Sequence, residues 1–154
     1  MQKLVTGITY LPFGGKTLYL SSILDLFNGE IVAYSIADKQ DTAFVLDTLN
    51  QLPLTKDSML HSDQGSVYTS QAYQEAVKGK GITMSMSRKG ADNASIESFH
   101  STLKSETFYL EGLTCTTTAI VEQTVRDYIY YYNSIRIQTK LNNPSPVDYR
   151  RLAA

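Results

Sequence analysis

The sequence predicts an α/β fold, a mixed sheet with helices on both faces and the element order β-β-β-α-β-α-β-α-α. Three observations carry this. Two glycine-bearing turns, Gly14-Gly15 and Asn28-Gly29, separate three segments rich in strand formers. After Asp41 the apolar period changes to helical spacing. Beyond Pro53, short apolar strands alternate with helical stretches. The 154 residues suit one ordinary domain, and no repeat, low-complexity tract or Pro/Gly/Ser-rich linker divides them, so 1–154 is expected to be a single domain.

The elements follow in order. Leu4 to Leu11 is the first strand, Thr17 to Leu26 its return, and Glu30 to Ile36 the third. Ala43, Phe44, Leu46, Leu49 and Leu52 repeat at helical spacing, with Asp41 or Thr42 as N-cap and Pro53 as the stop. Ser58 to His61 is a short strand that runs into the turn Ser62-Asp63-Gln64-Gly65. Ser70 to Lys80 is a helix ended by Gly81, and Ile82 to Met86 a strand. Ser87-Arg88-Lys89-Gly90 is a loop. Asp92 or Asn93 caps a helix with Ile96, Phe99 and Leu103 on one face. Thr117 or Thr118 opens a long helix reaching at least Tyr132, and Asn143-Pro144-Ser145-Pro146 breaks regular structure before a basic tail.

Composition narrows the function classes. At 42% hydrophobic and 19% charged, the chain has enough apolar content for a core. No apolar run approaches the roughly 20 residues of a membrane span, and no signal-peptide pattern is present. The single Cys115 excludes an internal disulfide framework and a Cys-rich zinc site, and two histidines, His61 and His100, argue against a His-based one. A soluble protein of a reducing compartment is the expectation. The net charge is −1, from net −2 over 1–62 and net +1 over 63–154, an asymmetry too small to name a partner.

Two acids stand where acids are informative. Asp63 follows a short buried strand, and carboxylates at strand carboxyl ends point into the ligand crevice of an α/β sheet. Glu97 lies one turn into a helix fixed by Ile96, Phe99 and Leu103. Two such carboxylates can gather Mg²⁺ or Mn²⁺. Taken alone, a turn aspartate and a helix-surface glutamate are ordinarily just solvated.

The surrounding motifs add to that reading. His61-Ser62-Asp63-Gln64-Gly65-Ser66-Val67-Tyr68-Thr69-Ser70 resembles the second-aspartate motif of integrase-core (DDE) transposases, the OrfB-type enzymes of bacterial insertion sequences related to the retroviral integrase catalytic core. Ser85 to Gly90, Asp92-Asn93-Ala94, Ile96-Glu97-Ser98-Phe99-His100 and Leu103-Lys104-Ser105-Glu106 resemble the glutamate motif. Tyr132-Asn133, Arg136, Leu141 and Ser145 to Arg150 resemble the C-terminal signature, and Tyr19 to Leu26 with Gly29 to Val32 the second and third strands. The resemblance spans nearly the whole chain in order.

It implies an RNase-H-like fold and metal-dependent DNA cleavage and strand transfer, that is, DNA integration and transposition, with Mg²⁺ or Mn²⁺ as cofactor. Two ions held by three acids would activate the attacking oxygen and stabilise the leaving one. Asp63 and Glu97 match the second and third acids, as catalytic and metal-holding residues. Arg88, Lys89, His100 and Lys104 become candidate DNA-binding residues, His100 also a candidate to orient Glu97, through contacts that are sequence-independent and salt-sensitive. DNA and further copies of the chain become the expected partners, and the bacterial cytoplasm and its nucleoid the expected place; neither a membrane nor a small-molecule substrate is expected.

Three departures stand out. The family's Thr-Asp-Ile-Thr on strand one is here Thr6-Gly7-Ile8-Thr9, and glycine offers no ligand. If Gly14-Gly15 closes a two-residue hairpin, Gly7 faces Ser22, so Asp25 lies about 10 Å further along and on the opposite face. Asp25 is then a poor substitute with a structural role. The loop before Asp92 is about two residues short, which should restrict how Glu97 approaches a metal. The upstream helix-turn-helix region of the family is expected to be absent. The enzyme is therefore expected to be impaired or dead, with a catalytically dead DNA-binding or subunit-binding remnant as the alternative.

Among the remaining residues, His61 shares a strand face with Asp63 and is expected to pack. Tyr128, Tyr130, Tyr131 and Tyr132 suit a core or helix interface better than a base-stacking platform. Cys115 is expected to be inert, and Arg136, Lys140, Arg150 and Arg151 to suit a DNA backbone or a neighbouring subunit.

Overall fold

Strand β1 (Gln2–Phe13) turns back on β2 (Lys16–Asp25) with Phe13 opposite Lys16 and Leu4 opposite Asp25. This is the register that a two-residue connection requires, and it sets Gly7 against Ser22. In this computed structural model residues 2–13, 16–86, 94–108, 117–135 and 145–147 are described. The chain continues through β3 (Ile31–Ala37), α1 (Thr42–Leu49), β4 (Ser58–Ser62), α2 (Ser66–Thr69), α3 (Gln71–Gly79), β5 (Ile82–Met86), α4 (Ala94–Glu106) and α5 (Thr118–Ser134). The five strands lie in the order β3-β2-β1-β4-β5, antiparallel across β3-β2-β1 and parallel across β1-β4-β5. β1 is thus the middle strand and meets both kinds of neighbour.

Strand alternation sorts the apolar side chains onto two faces. Val5, Leu11, Leu18, Leu20 and Leu24 pack with Ile96, Phe99 and Leu103 of α4 and Val121, Val125, Tyr128, Ile129 and Tyr132 of α5. Leu4, Ile23 and Leu60 pack on the other face with Phe44, Val45 and Leu49 of α1 and Tyr73 and Val77 of α3. Helices therefore cover both faces, as the sequence predicts. Tyr128 and Tyr132 join the core, with the Tyr132 ring edge-on to Phe99 at 4.9 Å, whereas Tyr130 and Tyr131 lie exposed.

Local chemistry sets the helix starts. The side chains of Asp41, Ser70 and Thr117 accept hydrogen bonds from the backbone N–H groups of Phe44, Tyr73 and Ile120. Gly29 and Gly81 adopt φ of 79°, which closes the β2–β3 turn and the end of α3. Two expectations shift. α1 ends at Leu49 with Asn50 as its C-cap, so Leu52 is buried beyond the helix and Pro53 is not the stop. α2 is an additional single turn between β4 and α3, formed because Tyr68 is drawn into the core against Tyr73 (5.3 Å, edge-on).

Candidate active site

β1 and β4 run parallel, with Val5 opposite His61. Continuing that pairing by two residues brings Asp63, just past β4, level with Gly7. Asp63 is exposed, and its Oδ1 accepts the Gly65 N–H at 2.7 Å. The turn thereby folds the carboxylate over its own backbone. A Cβ at Gly65 would stand 2.9 Å from the same Asp63 oxygen, so a larger residue there would turn the carboxylate aside.

Glu97 occupies the first turn of α4 and is exposed, while Ile96, Phe99, His100 and Leu103 form the buried face. Glu97 lines a cavity of about 340 Å³ with Ile8, Thr9, His100, Ser101 and Lys104. Asp63 lines a second, of about 360 Å³, with Ile8, Gln40, Gly65, Ser66, Val67 and Tyr68. Ile8, the residue after Gly7, is common to both. The two acids therefore flank the centre of β1, one from each neighbouring element.

The position between them is filled rather than hollow. A Cβ on Gly7 would meet the Ile96 side chain at 3.1 and 3.3 Å and the His100 Cε1 at 3.7 Å. Among the described residues no group of three or more His, Cys, Asp or Glu gathers to hold a metal. Two hard carboxylates suit one Mg²⁺ or Mn²⁺ that takes its other ligands from phosphate and water; the strand position where the resemblance leads to the expectation of a third acid holds Gly7.

Asp25 is not that third acid. It is buried to 1% exposure at the far end of the hairpin, opposite Leu4. Its carboxylate accepts from Gln2 Nε2 and from the Phe27 N–H, each at 2.9 Å, and so builds the β2–β3 turn. This is the structural role expected of it.

The basic residues divide. Lys104 is half-buried beside Glu97's cavity, with its Nζ 4.0 Å from the centroid of the Tyr10 ring. Arg88 and Lys89 lie outside the described residues, as do Cys115, Arg136, Lys140, Arg150 and Arg151. His100 is not a surface ring. It is 5% exposed, and its Nε2 shares a 3.1 Å hydrogen bond with Ser22 Oγ. Burial, followed by the nearby Lys104 charge, pushes its pKa down from 6.5 to about 3, so the ring is neutral near pH 7. At i+3 the ring leans from Glu97's side toward the core, where an imidazolium is disfavoured, while it still lines the cavity shared by Glu97 and Lys104. His61 packs as expected, with Nδ1 3.0 Å from Ser85 Oγ.

Sequence reasoning missed Thr9 and Ser101 around Glu97, and Tyr10 against Lys104. Ser101 follows Glu97 by one helical turn and could have been found at that spacing. Tyr10 and Lys104 are 94 positions apart, and no local pattern joins them.

Known proteins resemble the chain in sequence and in fold. The "Integrase core domain" family profile matches residues 1–91, and a second profile of that description matches 97–152. The chain is 43% identical over 97% of its length to a transposase-like protein of Haemophilus influenzae, of which it covers 70%. It is 42% identical to InsK of insertion sequence element IS150 in Escherichia coli K12, but spans only 54% of that protein. In fold it superposes on the HTLV-2 integrase catalytic core domain solved in complex with magnesium (TM-score 0.73, 14% identity, 96% of this chain and 94% of that one). It superposes equally on the BIV integrase catalytic core (TM-score 0.72, 18% identity, 98% and 95%). With an RNase-H-like sheet order, two acids flanking its middle strand and these sequence matches along its length, the chain belongs to the integrase core domain family of insertion-sequence transposases.

Proposed function

We propose that the chain is the catalytic core of a transposase that cleaves and joins DNA strands, working at an impaired rate because Gly7 stands where the first metal-holding acid belongs. The observation that carries this is the placement of Asp63 and Glu97 on either side of Ile8. When bound, one Mg²⁺ or Mn²⁺ would polarise a phosphoryl oxygen and favour ionisation of an attacking hydroxyl. Asp63 and Glu97 would hold it, Asp63 fixed in direction by the Gly65 N–H and Glu97 by a helix anchored in the core. Lys104 would hold a DNA phosphate beside Glu97, and Arg88 and Lys89, outside the described residues, are further candidate DNA contacts by resemblance. Activity on DNA would place the chain at the bacterial nucleoid. Association of several copies is supported by the description of the HTLV-2 integrase core in dimeric and trimeric forms.

A second reading is favoured by the packing at Gly7. Because Ile96 closes over that position, the chain would act only as a DNA-binding or subunit-binding module.

Calorimetric titration of Mn²⁺ and Mg²⁺ into this chain and its Gly7→Asp variant tests both. Tight binding by the variant alone supports the impaired catalytic core. Equal binding by both means that another group has replaced the lost acid, and overturns the assigned lesion. Binding by neither overturns the metal site and leaves the second reading.

A further inference from the structure

Tyr10 stands on β1 three residues beyond Gly7, 51% exposed, with the Lys104 ammonium 4.0 Å from its ring centroid. That lies well within the roughly 6 Å reach of a cation–π contact. Lys104, Ser101 and Glu97 follow one row of α4 at i, i−3 and i−7, and all three line the same cavity. A lysine head on a four-carbon stem ordinarily sweeps a wide arc of solvent. An aromatic face confines it without neutralising it, because the ring quadrupole offers no proton acceptor to compete with an incoming anion.

We infer that Tyr10 is a positioning residue: its ring holds the Lys104 ammonium at the rim of the Glu97 cavity, where a DNA phosphate meets a fixed cation. The inference rests on the reading of the chain as a DNA-acting core. It differs from that reading in naming what aims the lysine.

The test is a double-mutant cycle on binding to a short fluorescein-labelled DNA duplex, followed by anisotropy across a salt series. Lys104→Ala should flatten the dependence of log K on log salt by about 0.9, one phosphate contact's worth. Tyr10→Leu should weaken binding about two- to five-fold at low salt, and Tyr10→Phe should restore it because the π face remains. In the Lys104→Ala background Tyr10→Leu should have no further effect. In the DNA-free protein, NMR should find the Lys104 ε-methylene shifted upfield by the ring in the original chain and in Tyr10→Phe, and not in Tyr10→Leu. Additive losses in the cycle, or an unshifted ε-methylene in the original chain, overturn the inference while the DNA reading stands. Failure of the original chain to bind the duplex at low salt overturns both.

Discussion

The Asn133 carboxamide grips both backbone groups of Ile31: its Oδ1 accepts the Ile31 N–H at 2.9 Å, and its Nδ2 donates to the Ile31 carbonyl at 3.0 Å. β3 is an edge strand, so the start of that strand finds in α5 the partner that a further strand would otherwise supply. Asn133→Ala should cost about 1–3 kcal/mol, since two half-buried backbone groups lose their partner together. Urea unfolding of the variant checks this. Asn133→Asp should recover less than half, because it keeps the acceptor and loses the donor.

Gly7→Asp should destabilise the metal-free protein by about 1–3 kcal/mol. The new Cβ meets the Ile96 Cγ2 methyl at 3.1 Å and the Cγ1 methylene at 3.3 Å, and the carboxylate is added at a buried strand position. Gain of side chain in place of a strand glycine offsets only about 0.5–1 kcal/mol of this. Thermal melts in chelator resolve the sign, and Ile96→Val in the same chain should recover part of the loss. A carboxylate at this position would also favour the imidazolium of His100, so an NMR titration of that ring should find its midpoint above 3 in the variant.

Acidification should act through His100. Its folded-state pKa, about 3, lies below the unfolded value near 6.5, so between those values the unfolded chain binds the extra proton. Stability therefore rises with pH across that window and is lost as pH falls from about 6.5, by at most about 1.4 kcal/mol per unit. His100→Gln should flatten this slope relative to the original chain, since glutamine meets Ser22 without titrating. Chemical unfolding of both proteins at pH 7, 6, 5 and 4 decides it; parallel curves would mean that His100 does not contribute.

At the alkaline end the relevant groups are Tyr68 and Tyr73. Burial raises both phenols well above 10, against a smaller lowering by Thr6. Their raised pKa means that the unfolded chain loses these protons first, so stability falls as pH climbs past about 10. Ultraviolet titration should show at least two of the eleven tyrosines ionising only with unfolding.

Gly65→Ala should leave stability within about 0.5 kcal/mol and yet change the site. The added methyl would stand 2.9 Å from Asp63 Oδ1, and a terminal carboxylate turns aside at little cost. The Gly65 N–H would then lose its acceptor. Paired calorimetry on Gly65→Ala and on Gly65→Ala with Gly7→Asp should find weaker Mn²⁺ affinity than in the matching Gly65 chains, with unchanged melts.

Much of this was legible in local chemistry. Two glycines at 14 and 15 fix which residues can face each other, so the pairing of Gly7 with Ser22 and the exclusion of Asp25 both follow from counting. Ile96, Phe99 and Leu103 share a helix face in the sequence and in the core. His100 shows where counting runs out. At i+3 from an exposed glutamate, a histidine can lean toward solvent or toward the sheet, and here it leans toward the sheet, onto Ser22 Oγ of β2. The Tyr10–Lys104 contact and the single turn of α2 likewise depend on packing between distant segments, for which the chain carries no periodic signal.

The Asn28 side chain donates to the Pro146 carbonyl at 2.8 Å across 118 positions, and Asn133 reaches Ile31 across 102. The first hairpin and its third strand are therefore completed by residues that leave the ribosome more than 100 positions later. At about 5–20 residues per second, the edge around Ile31 waits on the order of 5–20 s for its partners during synthesis. Through that interval Leu24 and Ile31 lack the α5 cover they have in the finished protein. Asn133 and Pro146 thus act as a late closure, making the first strands of the sheet dependent on residues translated long after them.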